Sequence, residues 1–257
     1  MNYILYILFG LLPSVIWLLF YLKKDSHPES NRMILKVFFW GMITAVLAAA
    51  AEVFLSTAMS LFLPESVVSS PLYFIFLTVV VVGLVEEIFK FLVVQIKVIK
   101  NKEFDEPVDA MIYMIVVALG FAALENLLYL SPVIAPGGNM PFANAAFISG
   151  FRFMGATFLH ALASGTAGFF LALSICYPSK KRMFLAAGIG IASLLHGLFN
   201  ISIIGIGAGM ETGNGALTTI SVLSLLSVLI CLALFVSFGF TKLKKIKSIC
   251  HQNFSKN

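Results

Sequence analysis

The chain has 257 residues, 60 % of them hydrophobic and 11 % charged, with a mean hydropathy of +1.00 and a formal charge of +5. Soluble domains hold about 45–50 % apolar and about 25 % charged residues, so the composition excludes a soluble globular protein and demands lipid as the solvent for most of the chain. Three cysteines, Cys176, Cys231 and Cys250, have no paired spacing and give neither a disulfide framework nor a zinc-finger pattern.

A membrane span needs about 20 mostly apolar residues, and its backbone polar groups must be paired inside a helix. Seven runs meet that length in chain order: 3–22, 34–58, 71–95, 109–130, 145–177, 183–207 and 216–240. The fold class expected is therefore all-α, a polytopic transmembrane helical bundle. The first run has no basic residue before it and no small-residue cleavage site after it, so it is expected to be retained and not removed as a signal peptide.

Lysine and arginine set the orientation. Lys23, Lys24, Arg32 and Lys36 follow span 1; Lys97, Lys100 and Lys102 follow span 3; Lys180, Lys181 and Arg182 follow span 5. The tail carries Lys242, Lys244, Lys245, Lys247 and Lys256, while the alternate segments 59–70, 131–144 and 208–215 carry no lysine or arginine. Such a bias places the N-terminus outside and the C-terminus in the cytoplasm. Topology and anionic head groups account for these charges, which argues against a nucleic-acid partner.

A second set of ionisable groups lies within spans, where each costs about 2.5–3.5 kcal/mol on insertion scales and so needs a partner or a task. Span 2 has Glu52; span 3 has Glu86, Glu87 and Lys90; span 4 has Glu125 followed by Asn126; span 5 has Arg152 and His160; span 6 has His196 and Asn200. Arg152 is expected to snorkel toward the outer head groups, and Glu52 to make a buried hydrogen bond. Glu86 and Lys90 share a helix face at i,i+4, as do His196 and Asn200, and Phe121 and Glu125. At 1.5 Å per residue, Glu86, Glu125, His160 and His196 lie roughly 16–30 Å above their cytoplasmic ends. Four helices thus bring polar groups to one level, in the middle to outer half of a core about 30 Å thick. The neighbouring glycines Gly83, Gly120, Gly155, Gly165 and Gly197 fit general close packing of membrane helices.

Cutting a peptide bond in a membrane takes water, a base to activate it and donors for the oxyanion. Two histidines and a carboxylate match a catalytic zinc site with one open position. Here the metal set would be Glu125, His160 and His196, with Glu86 as base; glutamate and histidine acting without metal are equally compatible with the sequence.

Glu86-Glu87-Ile88-Phe89-Lys90, Phe121-Ala122-Ala123-Leu124-Glu125-Asn126, His160 and His196-Gly197-Leu198-Phe199-Asn200 resemble, in this order, the motifs of the PrsW family of bacterial intramembrane proteases. That family is related to the CAAX prenyl endopeptidases and Abi-type membrane proteases. The resemblance implies a multi-pass protein of the bacterial cytoplasmic membrane. It would make the first, extracytoplasmic-side cut in a single-span substrate such as a membrane-anchored anti-sigma factor. It also implies catalytic roles for Glu86, Glu87, His160 and His196, to which the site reading adds Glu125 and Asn200. Glu125 stands where the CAAX relatives place a histidine, which leaves the use of a metal open. On this reading residues 1–257 form one protease domain with a catalytic core about 71–207 and a basic tail, 241–257. A proton- or cation-coupled transporter using the same Glu/His cluster is the competing class; it is disfavoured by the missing inverted repeat.

Depth supplies a test. A site in the outer half should open outward, so single cysteines placed near residue 196 are expected to label from outside; labelling only from the cytoplasmic side would overturn this orientation of the mouth.

Overall fold

The computed structural model describes residues 3–24, 28–130 and 142–254. Among the described residues there are ten α-helices and no strand. They are α1 (Tyr3–Leu22), α2 (Asn31–Phe62), α3 (Glu65–Val68), α4 (Pro71–Phe76), α5 (Gly83–Lys97), α6 (Pro107–Tyr129), α7 (Phe142–Met154), α8 (Ala156–Cys176), α9 (Lys181–Glu211) and α10 (Gly215–Phe254). A π-helical stretch, Leu77–Val82, joins α4 to α5. Together these make the seven expected spans, each long and apolar enough to cross a membrane.

The bundle is organised around α6. In its most apolar window 94 % of residues are buried, against 28 % in α1 and in α10. A helix that is apolar all round belongs in the interior, and α6 accordingly packs against α1, α2, α8 and α10. Its start is set by Pro107 at the first turn and by Asp109, whose carboxylate accepts the Glu106 backbone N–H at 2.7 Å.

Two helix crossings depend on missing side chains. A Cβ on Gly41 would strike the Val117 carbonyl, and one on Gly120 would strike the Phe38 carbonyl, so α2 and α6 touch backbone to backbone. Likewise a Cβ on Gly197 would meet the backbone of Val79, and one on Gly83 the Ser193 carbonyl. This second crossing holds α5 and its π-helical lead against α9, which sets Glu86 opposite His196. Gly83, Gly120 and Gly197 thus permit the backbone contacts on which the polar groups depend.

Three differences from the sequence reading stand out. The fifth span is not continuous: Gly155, at φ −105° and ψ −91°, breaks it into α7 and α8, and kinks of this kind gather at glycine. Arg152, expected to reach for the outer head groups, is 9 % exposed because the bundle offers it partners described below. Cys176 takes part in a disulfide despite the unpaired spacing, while Cys231 is an exposed free thiol.

The α2–α6 crossing makes a prediction. Gly120→Leu should lower stability by about 1–3 kcal/mol, as overpacking does, read as a lower unfolding temperature in detergent. Gly150→Leu, whose Cβ meets nothing within 4 Å, should leave it unchanged; equal losses would refute the account.

Candidate active site

Lys90 lies at the centre of the polar cluster and has no exposed surface. Its ammonium is 3.1 Å from Glu86 Oε2, 2.9 Å from Glu87 Oε1 and 2.9 Å from His160 Nδ1, and lies 4.2 Å from the centroid of the Phe121 ring. Three N–H donors therefore meet three acceptors, with the ring face adding a cation–π contact. Glu86 and Glu87 both reach Lys90 because i,i+4 and i,i+3 neighbours flank one helix face.

The histidine tautomers follow from these contacts. An ammonium can only donate, so His160 Nδ1 accepts from Lys90 and the ring proton resides on Nε2, which donates to Glu125 Oε2 at 2.7 Å. On His196 the carboxylate of Glu87 can only accept, so Nδ1–H donates to Glu87 Oε1 at 3.1 Å. That leaves the Nε2 lone pair of His196 facing Glu86 Oε2 at 3.7 Å, while His160 Nδ1 lies 3.8 Å from the same oxygen. The two rings stand nearly perpendicular, with centroids 4.9 Å apart.

Glu86, His160 and His196 each offer one ligand atom, and these atoms lie within 4.8 Å of one another. The sequence reading grouped Glu125 with the two histidines. In the structure Glu125 sits on the far side of His160, holding its Nε2 and pairing with Arg152 Nη2 at 3.1 Å. Arg152 also donates through Nε to Asn126 Oδ1 and lies 4.0 Å over the Tyr129 ring. Asn126 in turn donates to Thr157 Oγ1 at 3.1 Å. Arg152 is thus held inward by three partners within reach of α7.

All six sequence-nominated residues come together here, but they differ in access. Glu86, Glu125, His160, His196 and Asn200 line a cavity of about 520 Å³. Glu87 does not line it: its side chain has no exposed surface, and Oε2 accepts from Ser164 at 2.7 Å. Glu125 is the most accessible carboxylate of the cluster, 25 % exposed against 6 % for Glu86. Glu52 lines the same cavity from α2, with no hydrogen bond to another described residue. Exposed Phe147, Phe151 and Ile204 flank the cavity with apolar surface. Sequence reasoning missed Ser164 and Thr157; the i,i+4 spacing of His160 and Ser164 was the available signal.

The model of the PrsW family intramembrane metalloprotease matches residues 29–238. The protein called Protease PrsW of Geobacillus kaustophilus (strain HTA426) is 32 % identical over 193 residues, covering 74 % of this chain and 76 % of that one. Protease PrsW of Bacillus subtilis (strain 168) is 30 % identical over 193 residues, covering 74 % and 79 % respectively. Protease PrsW of Clostridioides difficile (strain 630) is 28 % identical over 199 residues, covering 75 % and 76 %. No solved structure matches the chain. The chain belongs to the PrsW family and is a multi-pass intramembrane protease of a bacterial membrane.

Removing one partner from a buried ion cluster leaves the rest uncompensated, at about 3–5 kcal/mol. Lys90→Met should therefore destabilise the protein by that order in a denaturant titration. Adding Glu86→Gln and Glu87→Gln to it should recover most of the loss. A triple variant no more stable than Lys90→Met alone would remove Lys90 from the centre of the electrostatics.

Proposed function

We propose that this PrsW-family protease hydrolyses a peptide bond in a single-span membrane protein, such as a membrane-anchored anti-sigma factor, within the cavity where Glu86, His160 and His196 converge. One observation carries the reading: both histidines turn one nitrogen toward Glu86 and the other onto a carboxylate, Glu125 for His160 and Glu87 for His196. Carboxylates placed behind imidazoles in this way fix ring orientation and raise ligand basicity in metalloenzymes.

The donor set fits a catalytic metal. Glu86, His160 and His196 would hold it, in the carboxylate-plus-two-histidine pattern of hydrolytic zinc sites, with the Lys90 ammonium turned away from the His160 Nδ1 and Glu86 lone pairs it now occupies. A bound zinc ion would supply Lewis-acid polarisation and an acidified water. Glu125 then exchanges the role first expected of it with Glu86. Its accessible carboxylate, hydrogen-bonded to His160, is placed to take a proton from water and return it to the leaving amine. Asn200 and Arg152 line the cavity and can donate to a carbonyl oxygen as it becomes an oxyanion. Glu87, sealed from the cavity, positions His196 and Lys90.

Lys90 favours a second reading. Its ammonium already sits between Glu86 and His160 Nδ1, where a metal would otherwise draw these groups together, so Glu125 and His160 could handle protons with no metal involved. For the substrate, the apolar flanks at Phe147, Phe151 and Ile204 suit lateral entry of a helix from the bilayer. The positive-inside bias supports a cut toward the extracytoplasmic side.

Cleavage of single-span substrates by purified protein in liposomes tests both readings. Glu125→Gln should keep bound metal yet lose cleavage by about 10²–10⁴-fold, the usual weight of a general base. Glu86→Gln and His196→Ala should lose metal and cleavage together. Unchanged cleavage in all three well-folded variants would refute the site. Full activity in wild-type protein that elemental analysis finds free of metal would select the second reading.

A further inference from the structure

A second cavity, about 790 Å³, lies away from the polar cluster, between α1 and α10 and floored by α7 and α8. Its walls are aromatic and aliphatic. Trp17 stacks on Phe158 with centroids 4.2 Å apart and donates from Nε1 to the Phe153 carbonyl at 2.9 Å, which fixes the indole as one side. Tyr21 and Phe240 stack at 6.1 Å where the two helices come together. On α10 the lining residues Ala233, Ser237, Thr241 and Lys245 recur every four positions, a single stripe along one helix face. The small side chains of that stripe keep the groove open.

At one end the apolar walls give way to Lys24, Lys244 and Lys245, all exposed, and no lining residue is acidic. Lys24 folds back over the Phe20 ring at 5.0 Å. This is the side on which the chain concentrates its basic residues, and by the positive-inside rule it faces the cytoplasm. From Ala233 to Lys245 the stripe rises about 18 Å at 1.5 Å per residue, close to one leaflet of a core about 30 Å thick. An apolar trough one leaflet deep with three cations at the head-group level is complementary to one kind of molecule.

We infer that this groove is a binding site for an anionic phospholipid of the cytoplasmic leaflet, its acyl chain lying along Trp17, Phe158 and Phe240 and its phosphate held by Lys24, Lys244 and Lys245. The inference is independent of the assignment of the proteolytic residues, none of which lines the groove. Bound lipid would bridge α1 and α10 beside the Tyr21–Phe240 stack.

The test is native mass spectrometry of the full-length protein taken from mixed vesicles of dioleoylphosphatidylglycerol and dioleoylphosphatidylcholine. Wild type should retain the glycerol lipid over the choline lipid by about tenfold or more, the order expected for several lysines near anionic head groups. The combined variant Lys24→Gln, Lys244→Gln and Lys245→Gln changes only exposed side chains and should abolish that preference. Ser237→Trp, which fills the trough without altering charge, should lower retention of both lipids. Lys180→Gln, Lys181→Gln and Arg182→Gln, made together outside the groove, should leave the preference intact. Equal retention of the two lipids by wild type, a preference that survives the groove-lysine variant, or an equal loss in the outside variant would each overturn the proposal. So would a lipid-free dimer, which would put a second copy of the chain in the groove.

Discussion

A lysine with no exposed surface, inside a stretch of chain apolar enough to cross a membrane, is tolerated only if every one of its protons is met and its charge is answered. Lys90 satisfies both demands with residues from two helices, Glu86 and Glu87 on its own and His160 on α8. Each of those groups is then obliged to find its own complement. His160 turns its other nitrogen to Glu125, Glu125 draws in Arg152, and Glu87 draws in His196 and Ser164. The network spreads outward from one ammonium because in a low-dielectric interior a half-satisfied polar group is more costly than none. The same demand gives the histidines defined tautomers, which is what a proton-handling site needs.

Such a network requires helices to approach within side-chain reach at one level, and the apolar part of the fold supplies that. α6 is the buried axis, and backbone contact across Gly41 and Gly120 brings α2 against it. The crossing at Gly83 and Gly197 does the same for α5 and α9, with the catalytic candidates three residues after Gly83 and immediately before Gly197. In lipid no hydrophobic force distinguishes one apolar contact from another, so small residues and polar links decide which helices meet. Here the two kinds of contact are neighbours in sequence.

The spans were legible because hydrocarbon thickness imposes a length that few other constraints can mimic, and the cluster was legible because charged groups in lipid need a reason. Glu86, Glu125, His160 and His196 could be gathered from four helices by depth alone. Angular detail was not available in the same way. Which carboxylate sits between the histidines depends on helix rotation, and depth arithmetic carries no rotation. Arg152 looked like a snorkelling residue because the break at Gly155, which points α7 inward, leaves no trace in hydropathy. The disulfide at Cys176 joins positions whose separation in sequence says nothing about their distance in space.

The π-helical stretch Leu77–Val82 bears on that rotation. A wider turn takes in one residue more than an α-turn, so the segment before it and the segment after it are out of phase by about 100°. The N-terminal part of the third span can therefore keep its apolar surface toward lipid while the C-terminal part turns Glu86 and Glu87 into the bundle. The carboxylates are in this sense aimed by a backbone register set four residues upstream. Deleting a single residue there would leave every side chain of the site in place chemically and swing both glutamates away from the histidines.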